Sequence, residues 1–131
     1  MRLSKLLFGR RSKTPSAKLF ALPKGSELYI GAPAEPLDDG ILVSIQESIG
    51  ERPQILEAHL PQIYVPGLPG SPAQVLVIVC AHETKLDDLV PDMVASLEKC
   101  LPRGFHLDVW PLASESSIID WVRDANMQIH P

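Results

Sequence analysis

The side chains able to do chemistry are four histidines (His59, His82, His106 and His130), two cysteines (Cys80 and Cys100) and a set of acids and serines. A metal centre needs several ligands at close spacing, and a thiol nucleophile needs a base held by a third group. Cys80 and His82 alone stand near each other, two residues apart at the end of an apolar run. No further ligand or orienting group accompanies them. Cys80 therefore reads as a small core hydrophobe and His82 as a residue at the mouth of a strand. Asp87, Asp88 and Asp92 share a stretch with helical spacing. Paired carboxylates work as acid and base only inside a cleft that shifts their pKa values. On the polar side of an amphipathic helix they read instead as an acidic face open to a partner. No serine stands in a Gly-x-Ser-x-Gly turn, and Gly67 and Gly70 lack the Gly-Lys-Ser/Thr ending of a phosphate loop. The expectation is a protein that is not an enzyme, with no catalytic, cofactor-binding or metal-binding residue.

The elements that would carry these residues alternate. Glu27–Gly31 is a short strand closed by the prolines at 33 and 36. Asp38 and Asp39 open a helix whose apolar face is Ile41, Leu42, Ile45 and Ile49, with Gly50 as its stop. In Ile55–Val65, Leu56, Ala58 and Leu60 alternate with Glu57 and His59, and Pro61 bends the strand or confines it to an edge. Residues 66–72 form a Pro/Gly loop. Val75–Cys80 is apolar at every position, the pattern of a strand buried on both faces.

Leu86, Leu89, Val90, Met93, Val94 and Leu97 keep the 3.6-residue period through Lys85–Cys100, with Thr84 and Asp87 spaced as a capping box and Pro91 inside. Phe105–Trp110 is a further strand. Ser114 and Glu115 open a last helix with Ile118, Trp121, Val122 and Ala125 on one face. The order β-α-β-β-α-β-α predicts an α/β (α+β) class. It implies a mixed β-sheet with helices on one face, Val75–Cys80 central, and the ferredoxin-like split βαβ arrangement. The expected core is Ile30, Leu42, Ile45, Ile49, Leu60, Val77, Val79, Leu89, Met93, Leu97, Leu107 and Val109.

Charge divides the chain. Through residue 24 there are seven basic residues and no acid, leaving five basic residues against sixteen acids in the remainder, a net of −11. Residues 1–22 read as a basic, partly apolar tail and linker, and 23–131 as one α/β domain. Arg2, Lys5, Arg10 and Arg11, with Leu3, Leu6, Leu7 and Phe8, are the candidate contacts to an anionic membrane surface or a partner. The run Leu6–Phe8 is too short for a secretory core, and the tail as far as Lys18 is expected to lie outside the fold. So acidic a domain is no ligand for nucleic acid. Two cysteines without a secretory signal point to a reducing compartment.

The segments Leu28-Tyr29-Ile30-Gly31-Ala32-Pro33, Glu57-Ala58-His59-Leu60, Val75–Val79 and Pro102-Arg103-Gly104 leading to Leu107-Asp108-Val109 resemble the C-terminal domain of the SseB family, the enhanced serine sensitivity proteins. The resemblance covers Gly25–Asp108 and extends toward Trp121–Ile129. It departs at Ala32, where the family favours Gln, and at His59, where it favours Tyr. It implies a bacterial cytoplasmic protein without established catalytic residues. The expected function is a non-enzymatic protein-binding module, cytoplasmic or peripheral at the inner membrane through its tail. The alternative is an immunity-type or inhibitory protein whose acidic domain masks a basic toxin or enzyme.

Overall fold

The computed structural model describes residues 16–19, 27–33, 37–67 and 73–130, the first stretch by its backbone alone. Along them run β1 (Ser16–Leu19), β2 (Tyr29–Gly31), α1 (Asp39–Gly50), β3 (Ile55–His59), β4 (Gln62–Tyr64), β5 (Ala73–Cys80), α2 (Leu86–Cys100), β6 (His106–Ala113), α3 (Ile119–Asp124) and β7 (Gln128–His130). The chain is mixed α+β.

An apolar strand leaves water only if both its edges and both its faces are covered. β5 meets all four demands. It runs parallel to β6, from Val75 opposite Asp108 to Cys80 opposite Ala113. It runs antiparallel to β3, with His59 opposite Val77, and to β4, with Ile63 opposite Ala73. Leu76, Ile78 and Cys80 pack with Ile45 and Ile49 of α1 and Leu89, Met93 and Leu97 of α2. Val75, Val77 and Val79 pack with Ile63, Leu112, and Ile119 and Val122 of α3. Helices therefore cover both faces, not one, because β5 is apolar at both parities. Of the expected core, Ile30 and Leu42 are only half-buried; the other ten are buried.

The strand order is β1-β6-β5-β3-β7, with β2 on β4. The ferredoxin-like order is not the one formed. It would insert the strand at Leu28–Ile30 between β5 and β6, which instead pair directly. β2 has three residues and could not match two eight-residue neighbours. It lies at the outer edge, antiparallel to β4, while β7 occupies the same side of β3.

Pro61 has no amide to donate, and it breaks the β3–β4 line as its position predicts. The gap is bridged by Gln74 Nε2 donating to the Leu60 carbonyl (3.1 Å), Val75 N to the Pro61 carbonyl (3.1 Å), and Leu60 N to the Met127 carbonyl (2.9 Å). Pro111 falls on β6 beyond Val109, the last residue that pairs with the described part of β1.

Asp38 caps α1, accepting from Gly40 N at 3.0 Å. The capping box expected at α2 does not form. Lys85 is the N-cap, and the Thr84 hydroxyl donates to the Ala81 carbonyl (2.6 Å), closing the turn after β5 instead. The last helix begins at Ile119 rather than Ser114. Its inward residues are Ile119 and Val122, while Trp121 is 61% exposed. The linker assigned through Lys18 contributes a strand: Ser16–Leu19 pairs in parallel with His106–Val109. An open edge on β6 leaves backbone groups unpaired, and four residues are enough to pair that end. The boundary at Pro23 lies outside the described residues.

Candidate functional site

The tail contacts Arg2, Leu3, Lys5, Leu6, Leu7, Phe8, Arg10 and Arg11 lie outside the described residues. Asp87 and Asp88 are exposed in the first turn of α2, where carboxylates complement the helix dipole. Asp92 is engaged: Arg52 Nε donates to its Oδ2 at 2.8 Å, tying α2 to the end of α1. The Ser48 and Ser96 hydroxyls bond across the same helix contact.

Cys80 and His82 part company. Cys80 is buried, its thiol directed to the Ile78 carbonyl (3.7 Å), and burial pushes its pKa up to about 11. His82 turns to solvent between Glu83 and Glu115, at 3.8 and 3.5 Å. A thiolate absent near neutral pH, with no imidazole against it, is no nucleophile. Among the described residues no three of His, Cys, Asp and Glu gather at metal-binding distance.

The period-two reading of β3 placed Leu56 inward and His59 outward. A register shift between Ile55 and Glu57 turns Leu56 outward, 46% exposed. Ala58 and Leu60 are buried as the alternation predicts, and His59 on the opposite parity is buried as well, because it lies opposite Val77 on the face that α3 covers. His59 Nε2 lies 2.7 Å from Glu57 Oε1. Arg123 of α3 grips the same carboxylate with two bonds, Nε to Oε1 (2.9 Å) and Nη2 to Oε2 (2.7 Å). The guanidinium, outweighing partial burial and aided by His59, holds Glu57 down at about 2. An ionised carboxylate only accepts, so the His59 proton bonded to it sits on Nε2. His59 Nδ1 is buried with no hydrogen-bond partner. This network clamps α3 onto β3.

A second feature is open to solvent. Tyr29 and Tyr64 face each other across β2 and β4, their ring centroids 6.1 Å apart and tilted by 31°. Leu28, Ile30, Ile63 and Val65 point to the α3 side, so alternation places both rings on the opposite face. That is the face covered by α1 and α2 farther along the sheet. At this end the rings remain 56% and 43% exposed. The sequence marked Tyr29 only as a strand former. Pairing across thirty-five residues made the aromatic surface.

No protein-family model, curated protein or solved structure matches the chain.

Proposed function

We propose that the chain is a non-enzymatic, SseB-like protein-binding module of the bacterial cytoplasm, with the tyrosine face of β2 and β4 as its contact surface. The observation that carries this reading is the exposed Tyr29–Tyr64 pair. Tyrosines offer large, rigid contact area with a polar tip at little entropic cost, and interface hot spots are enriched in them. The rings sit on a paired sheet rather than a loose loop, so little order must be acquired on binding.

The excess of acid after residue 24 favours a second form of the same reading, an inhibitory or immunity-type protein that masks a basic toxin or enzyme. The basic tail adds contact with an anionic membrane surface. Affinity capture with the full chain should recover a stoichiometric partner that a Tyr29→Ser, Tyr64→Ser variant loses. Absence of any stoichiometric partner across a range of salt concentrations would overturn the reading.

A further inference from the structure

β2 is paired on one side only. Tyr29, Ile30 and Gly31 bond to Tyr64, Ile63 and Gln62, and among the described residues no strand lines the other edge. An open edge is a template for an added strand. Gly31 shares the parity of Tyr29, and a Cβ placed there would meet nothing within 4 Å. The face beside the rings is thus a bare floor. Its surroundings are polar: Gln62 and Gln74 on the neighbouring strands, and exposed Glu27 two residues before Tyr29.

Among the described side chains no cation opposes this edge. Of the five basic residues after residue 24, Arg52 is paired with Asp92 and Arg123 with Glu57. Lys85, Lys99 and Arg103 lie on α2 or just beyond it, and α2 packs over β1 and β6 at the other side of the sheet. An apolar anchor would need an apolar pocket, which this polar rim does not provide. A guanidinium is suited to it, since it stacks on aromatic rings and keeps its hydrogen bonds at the margin.

We infer that the β2 edge takes an extended, arginine-bearing segment of a partner protein, which adds a strand to β2 and lays a guanidinium over the Tyr29–Tyr64 pair. The inference rests on the protein-binding reading above and names the chemistry of the partner.

The test is an amide-shift titration of the ¹⁵N-labelled full chain with an alternating arginine–threonine peptide at physiological salt. Its counterpart carries citrulline, the neutral isostere, in place of every arginine. The arginine peptide should perturb Tyr29–Gly31 and Gln62–Tyr64. Its affinity should fall about tenfold or more in Tyr29→Ser, Tyr64→Ser and for the citrulline peptide, as expected when a cation–aromatic contact is lost. Both rings are solvent-exposed, so an unchanged denaturation midpoint shows that the variant is folded.

Shifts confined to Asp87 and Asp88, or spread evenly over the acidic surface, would overturn the inference, as would unchanged affinity in the double variant. Equal binding of the citrulline peptide at the tyrosines would overturn arginine recognition and leave the protein-binding reading standing. That reading fails separately, when no partner is captured.

Discussion

Glu57 shows how one carboxylate can hold two distant elements together. Arg123 and His59 both donate to it, and its pKa falls from 4.5 to about 2. A lowered carboxylate pKa stabilises the fold fully above the unfolded value, and the contribution fades as pH drops through the folded one. Glu57→Gln should therefore cost about 1–3 kcal/mol near neutral pH, the usual range for leaving partly buried donors poorly matched. In urea denaturation the gap between wild type and variant should hold steady above pH 4.5 and close as pH falls toward about 2. A gap independent of pH would show that the charge does not matter. Cys80 offers a second check: buried, with its pKa near 11, it should resist thiol reagents until urea unfolds the chain, while half-buried Cys100 reacts first. Little of this was legible beforehand. Glu57 and His59 are visible as neighbours of like parity, but Arg123 lies sixty-six residues away in sequence. The alternation of β3 slips at a bulge that exposes Leu56 and that no local pattern marks, and the burial of His59 depends on α3 covering its face.

Elements with a strong internal period were legible, and those whose place depends on a partner's edge were not. α2 starts within one residue of its expected position and ends where expected, because six apolar residues recur at helical spacing and Leu89, Val90, Met93 and Leu97 among them are buried. Leu97 and Leu89 lie on that stripe, and Leu97→Ala or Leu89→Ala should destabilise by about 2–5 kcal/mol in a denaturant titration. Pro91 is the element's weak point. It sits exposed inside α2, where its ring crowds the carbonyl one turn back and no amide is available to bond it. Pro91→Ala should stabilise the fold by about 1–3 kcal/mol after allowing for the freer unfolded chain, seen as a raised denaturation midpoint. By contrast β1, β2 and β7 have four, three and three residues. β1 and β7 carry too little pattern to announce a strand, while β2 is legible as a strand in Glu27–Gly31 but carries too little to announce its neighbour. They form because β6, β4 and β3 present backbone groups that need partners. The same dependence explains the missed topology: a three-residue strand can close an edge but cannot fill the centre of a sheet.

At the scale of the molecule the dominant fact is the opposition of charge between the tail and the rest of the chain. Among the described residues no helix is long and apolar enough to cross a membrane. The first described element, β1, begins at Ser16. Cations and apolar residues are interleaved ahead of that point: Arg2, Leu3, Lys5, Leu6, Leu7, Phe8, Arg10 and Arg11. An anionic bilayer answers both features, since each cation near its surface contributes about 1 kcal/mol and apolar side chains enter the interface. The proposal makes a prediction that truncation cannot test cleanly, because a chain starting at Pro23 would also lose β1. Charge reversal avoids this. In co-sedimentation at low salt, the full chain should pellet with phosphatidylserine vesicles and stay in solution with phosphatidylcholine vesicles. The variant Arg2→Glu, Lys5→Glu, Arg10→Glu, Arg11→Glu should stay in solution with both. Raising salt to the physiological range should weaken binding without abolishing it, because screening reaches the cations but not the apolar side chains. A further variant, Leu6→Ser, Leu7→Ser, Phe8→Ser, should bind at low salt and release on that same increase. Equal pelleting of wild type and the charge-reversed chain would end the membrane reading.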